Sequence, residues 1–280
     1  MRNKILRWMC FPIVCLFFSF ADSNVHTNTV QIEPCYIENT TFKGGETITY
    51  KVYYNWNFIW LSAGEVTFNI NDLGNQYKMT AVGKTYKSYE WFFKLDDKYV
   101  SNIDKNSMLP TVFERNVNEG KVKFYEKIVF DQGNRSATTY YGENENSTKT
   151  LVKKMDGCMH DMMSILYFTR NIDYKKMTVN SEVPIKIFLD KETWPLKIKY
   201  KGEVNNIKLH GTDAKYNALK FMPQVVAGNV FKENTAMSVY VSNDGNKIPI
   251  LIESPVSVGS IKAVLKNYSG LRHNFDSKMQ

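Results

Sequence analysis

Four histidines, His26, His160, His210 and His273, are all that the chain offers as imidazole bases or metal ligands, and none has a second ligand-type residue at metal-site spacing. His160 is the most suggestive, because Cys158 and Asp161 flank it and a thiol, an imidazole and a carboxylate can together do nucleophilic chemistry. Residues so close on one helix point in different directions, however, so the reading here is a structural histidine with no catalytic residue and no metal. Acids such as Glu46, Glu65, Asp96, Asp97 and Asp104 are the raw material of a two-carboxylate glycosidase. That chemistry needs two of them facing each other across a cleft about 5 to 10 Å wide, a spacing that sequence cannot show. No phosphate-binding glycine loop, nucleophile-elbow pentapeptide or HExxH motif is present, which argues against familiar hydrolases and against a cofactor.

The aromatic residues give the positive signal. Tyr50, Tyr53, Tyr54, Trp56, Phe58 and Trp60 crowd one segment, and Tyr86, Tyr89, Trp91, Phe92 and Phe93 another. Aromatic and apolar walls with few polar groups suit lipids and other amphiphiles. The candidate ligand-binding residues are Tyr54, Trp56, Phe58, Trp60 and Trp91, joined by Met162 and Leu166 from a methionine-rich segment further on. The competing reading for each is an ordinary aromatic core.

Strands must position these residues. Ile48, Tyr50, Val52, Tyr54 and Trp56 alternate with polar neighbours, the period-two signature of a half-buried strand. The rhythm recurs over 65–70, 77–82, 98–103, 112–116, 121–130 and 136–141, then over 183–189, 195–201, 204–210, 214–222, 235–241, 248–253 and 260–266. Residues 57–64 read as a loose aromatic connection. Turn clusters separate the strands, the clearest being Ser242 to Lys247 with Asp244-Gly245. Pro249 just beyond it suggests an edge position or the first residue of a strand. Between 159 and 172 the period changes: Met159, Met162, Met163, Leu166, Tyr167 and Arg170 recur at three- and four-residue intervals, predicting an amphipathic helix that packs on a sheet. The fold class is all-β with one main amphipathic helix, a large curved antiparallel sheet of half-barrel or barrel-like form.

The amino terminus sets the compartment. Arg2, Lys4 and Arg7 precede an apolar run from Trp8 to Phe20, and small Ser19 and Ala21 occupy the positions a signal peptidase reads. Cleavage after Ala21 leaves a lead-in at 22–41, a single β domain at 42–271 and a frayed tail at 272–280. The run is too short for an anchor, and the mature chain has no transmembrane segment. Removing three cations lowers the net charge from +8 to +5, and lysines alternate with acids instead of clustering, so no nucleic-acid partner is expected. Cys35 and Cys158 survive cleavage. In an oxidising envelope compartment they are most simply a disulfide, worth roughly 4 kcal/mol in the chain-entropy model; the alternative is two buried thiols.

An ordered series of short motifs runs along most of the chain: Gly45-Glu46, Tyr53-Tyr54-Asn55-Trp56, Ala63-Gly64-Glu65, Ser101 with Asp104, and Leu109-Pro110 with Phe113 and Arg115. It continues through Glu119-Gly120, Phe130-Asp131, Asp161, Ser164, Tyr167 and Arg170, the Asn243 to Pro249 turn, and Val258 to Ala263. From about Phe42 to Leu271 the chain resembles the exported domain-of-unknown-function 3108 family of Gram-negative bacteria. The resemblance carries no activity and no catalytic residues. It implies a periplasmic or outer-membrane-associated protein with a curved sheet akin to the lipoprotein-carrier half-barrels. Three functions follow as expectations: a non-enzymatic envelope protein holding a lipid or amphiphile or supporting envelope assembly, a module docking on an envelope protein partner, and a carbohydrate-active enzyme.

Overall fold

The computed structural model describes residues 35–56, 59–91, 94–225 and 235–279, with Trp56 described in its backbone alone. The segment expected to be a signal and most of the expected lead-in lie outside the described residues.

Among the described residues, fourteen strands form one antiparallel sheet: β1 (Thr47–Trp56), β2 (Ile59–Asp72), β3 (Gln76–Thr85), β4 (Asp96–Asp104), β5 (Pro110–Glu119), β6 (Val122–Asp131), β7 (Ser136–Gly142), β8 (Thr148–Lys154), β9 (Glu182–Leu189), β10 (Glu192–Lys208), β11 (Lys215–Pro223), β12 (Ser238–Ser242), β13 (Pro249–Pro255) and β14 (Ser260–Ser269). Each strand pairs with its neighbours in sequence, except that β1 also pairs with β14 and the ladder is interrupted between β8 and β9. The meander is therefore a ring that joins its own first and last strands and breaks in the middle of the chain. Through that break passes the segment that carries the helix α1 (Ser164–Arg170).

The two edges at the break meet through side chains. Lys153 of β8 is ion-paired with Glu192 of β10, Lys191 lies 4.1 Å above the ring of Tyr141, and Arg115 on β5 is ion-paired with both Glu126 (2.8 Å) and Asp190. Part of the β9 edge is covered by the chain itself, since Phe188 N–H donates to the His160 carbonyl at 2.8 Å and His160 N–H to the Lys186 carbonyl at 3.1 Å. Lysines 149, 153 and 154 on β8 hinder strand addition by another chain. Cys35 and Cys158 are bonded, tying the lead-in to the segment before the helix.

Several elements differ from the sequence reading. The helix is half the expected length because Met159 and His160 are extended, held to β9 by the bonds just described, and because Asp161 ends the extended stretch by accepting the Met163 and Ser164 amides at 2.7 and 2.8 Å. The loose connection after Trp56 is a strand from Ile59 onward. Its period was hidden by a register shift between Val52 and Tyr53 and by Gly64, where a Cβ would lie 2.3 Å from the Lys84 carbonyl oxygen. Strand β8 was not anticipated: its sequence Thr-Lys-Thr-Leu-Val-Lys-Lys lies largely in solvent and has no apolar alternation. The two strands expected at 195–201 and 204–210 are one, β10, with register shifts at Gly202 and near Asn206. The tail after 271 is tied down: Asn246 donates to the carbonyls of His273 and Asn274, and Asn217 N–H donates to Ser277, which is fully buried. Pro249 is the first residue of β13, a strand in the interior of the sheet. Among the described residues, no helix is long and apolar enough to cross a membrane.

Candidate functional site: two apolar chambers beside a buried helix

Helix α1 buries Ser164, Ile165, Tyr167, Phe168 and Arg170, and it is pinned at both ends by polar groups. At its start Asp161 is fully buried and receives the Ser101 hydroxyl at 2.6 Å besides the two amides. Burial outweighs these bonds and pushes the Asp161 carboxyl up to about 6. His160 Nδ1 is 3.3 Å from Ser164 Oγ. Serine, histidine and aspartate thus meet, but all are fully buried and none lines either chamber described below; their bonds serve to set the helix in place.

At the other end Arg170 forms a two-pronged pair with Glu46, at 2.5 and 2.8 Å, and donates from Nε to the Asn246 carbonyl at 3.0 Å. Gly45, with φ +90°, turns the chain just before Glu46, whose side chain is buried. The guanidinium carbon lies 5.4 Å from the ring centres of both Phe42 and Tyr167. A buried, hydrogen-bonded ion pair of this kind is neutral as a unit.

On either side of Leu166 the helix stands away from the sheet and leaves a space. The first chamber, about 100 Å³, is walled by Ile48, Tyr50, Val66 and Phe68 from β1 and β2, Ile252, Ile261 and Ala263 from β13 and β14, and Met162, Met163 and Tyr167 from the helix segment. The second, about 80 Å³, is walled by Ile165, Ile185, Ile198, Phe221, Val241 and Tyr174. Leu166, Arg170, Val239 and Pro249 belong to both. The walls are almost wholly carbon. A chamber of about 100 Å³ has room for roughly three waters or a few methylene groups, and because it is not sealed, a longer chain seated in it would continue out through its mouth.

The sequence-predicted residues distribute unevenly around this site. Met162 and Leu166 line it, Leu166 as the partition. Tyr54 does not: it is buried in a neighbouring cluster with Ala63, Val225, Met237 and Ile261, and its hydroxyl donates to the Val258 carbonyl at 2.8 Å. Trp60 is half-buried, its ring 4.6 Å from Lys262 Nζ and 6.2 Å from the His210 ring. Trp91 is 83% exposed and its indole N–H donates to the Ser88 carbonyl. The side chains of Trp56 and Phe58 lie outside the described residues. Sequence reasoning did not name Tyr50, Tyr167 or Arg170 as site residues, and named Glu46 only as one of several acids. A signal existed: an arginine on the apolar face of a helix and an acid directly before an apolar alternation both demand a buried partner.

Of the carboxylates first considered for catalysis, Glu46 is taken up by Arg170 and the others lie away from the chambers. Asp97 is buried beside Glu119, accepts the Asn118 amide at 2.8 Å, and has its carboxyl raised by that burial. Neither chamber is lined by a carboxylate, so the two-acid geometry of a glycosidase is not found there.

A near-closed antiparallel sheet with a helix inside it and apolar space between them defines a barrel-like protein. The model of the family described as "Protein of unknown function (DUF3108)" matches residues 49–266, and the chain belongs to that family. Among solved structures it is similar to the crystal structure of a β-barrel-like protein of the domain of unknown function DUF1849 from Brucella abortus, at 8% identity and a TM-score of 0.54, covering 82% of this chain and 99% of that one. At that identity the likeness is one of fold. No curated protein shows a significant match.

Proposed function

We propose that the protein is an exported, non-enzymatic envelope protein that holds an amphiphile in the chambers beside α1, within the periplasm or at the outer membrane. The observation that carries this reading is the pair of carbon-walled chambers on the two sides of Leu166. A packed interior leaves few voids larger than a water molecule, and residual apolar space costs stability, roughly 24 cal/mol per Å³ in cavity-creating variants. A ligand that fills the space recovers that cost. The basic, apolar leader and the Cys35–Cys158 bond support an oxidising compartment outside the cytoplasm.

Native mass spectrometry of the protein purified from its own envelope, followed by organic extraction, tests this. A stoichiometric amphiphile is expected, and it should be lost in both Leu166→Trp and Val239→Phe, two variants that fill the chambers from opposite walls. A clean unliganded mass for the wild type, or a ligand retained by both folded variants, contradicts it.

A second reading, docking on an envelope protein, is favoured by one observation. Ile59, Trp91, Val122 and Val258 are all more than half exposed, and they sit at strand connections on the same rim of the sheet. Crosslinking from Trp91→Cys in intact cells would capture such a partner; no adduct would leave the holding function alone.

A further inference from the structure

The first chamber contains two polar groups that the protein itself does not satisfy. Tyr50 and Tyr167 are each 4% exposed, both line the chamber, and no hydrogen bond joins either hydroxyl to another group among the described residues. A hydroxyl on an apolar chamber wall with no protein partner depends on whatever fills the chamber for its hydrogen bond. The second chamber shows what satisfaction looks like: Tyr174 donates to the Thr169 carbonyl at 2.9 Å, and Lys247 Nζ donates to the Ile172 carbonyl at 2.8 Å.

Charge narrows what could meet the two phenols. They line the same chamber as Arg170, whose guanidinium carbon lies 5.4 Å from the Tyr167 ring centre and whose charge is paired with Glu46. Burial, the largest influence on each, holds both well above the ordinary phenol range, so they remain protonated donors. Arg170 is already matched in full by Glu46. Arg170 lines the chamber and Glu46, which already holds its charge, does not, so an anionic head stripped of water would have to compete with Glu46 for that guanidinium; a cationic head would face Arg170. An uncharged acceptor suffers neither penalty.

We infer that the ligand of the first chamber carries an uncharged, hydrogen-bond-accepting head of ester or carbonyl type, seated against the Tyr50 and Tyr167 hydroxyls, with its apolar chain along Met162, Leu166 and Ile252. This rests on the holding function proposed above. It assigns the two tyrosines as the selectivity determinants of the site.

The test uses competition for bound N-phenylnaphthylamine at pH 8 by methyl decanoate, decanoate and dodecane, on the wild type and on Tyr50→Phe/Tyr167→Phe, which removes both hydroxyls and little volume. The wild type is expected to prefer the ester by about tenfold over both competitors, and the double variant to bind ester and alkane alike. Decanoate binding as tightly as the ester, or an ester preference retained by the folded double variant, overturns the head-group inference and leaves the chamber's holding function standing. Failure of the wild type to bind the probe or any competitor overturns the holding function and the inference with it.

Discussion

The two chambers are built on the same partition, and they differ in what their polar groups do. In the second, Tyr174 and Lys247 are spoken for by backbone carbonyls at the end of the helix; it is the apolar interior of a well-satisfied protein. In the first, two phenols stand unpartnered beside a neutral ion pair. Equal numbers of carbon walls therefore do not make equal sites: a chamber whose polar groups are all satisfied by the chain has nothing left with which to orient a ligand, whereas one with idle donors does.

The strongest way to break this comparison is to take away the floor common to both chambers. Glu46→Gln leaves Arg170 buried and uncompensated, and should cost about 3–5 kcal/mol in urea unfolding. A loss below about 1 kcal/mol would mean that the pair is not closed as described. Next comes the other end of the helix. Because the folded carboxyl of Asp161 is raised from 3.8 to about 6, the group favours folding most fully below its unfolded pKa, and that contribution is lost as pH rises through 6. Stability should fall by about 3 kcal/mol across that window, and Asp161→Asn should remove the fall; a flat profile in the wild type would contradict it.

Two smaller effects sharpen the contrast directly. Tyr174→Phe gives up a made hydrogen bond and should cost about 1 kcal/mol. Tyr50→Phe and Tyr167→Phe give up none, and each should change stability by less than about 0.5 kcal/mol or raise it slightly, as residues kept for binding do. Melting curves of the three variants side by side decide it. Equal losses at all three positions would erase the difference between the chambers.

The all-β architecture was legible in the sequence because period-two alternation survives wherever one face of a strand is buried, as from Ile48 to Trp56 or Tyr77 to Val82. It failed where that condition fails. Strand β8 has no buried face to write a pattern, and residues 59–64 carry a bulge and a close-packed glycine that shift the phase. Helix α1 was found from its three- and four-residue spacing but overextended, since a strand-like bridge at His160 and an amide-accepting Asp161 are tertiary choices. Of the candidate ligand-binding residues, Met162 and Leu166 lie at the chambers because they belong to a periodic stripe that faces the sheet. Tyr50 and Tyr167 did not: their sequence signature is that of core aromatics, and what distinguishes them is a missing hydrogen-bond partner, which exists only once the chain is folded. Tyr54 and Trp60 lie away from the chambers, as aromatic density says nothing about which side of the sheet, or which end, each ring will occupy.

The account turns on whether the first chamber takes a ligand at all, and calorimetric titration of methyl decanoate into the wild type and into Leu166→Trp, at several temperatures, tests that most directly. Saturable binding with a negative heat-capacity change in the wild type, abolished in a folded Leu166→Trp, is the predicted result. No heat of binding in the wild type, or the same affinity and heat-capacity change in both proteins, would contradict it.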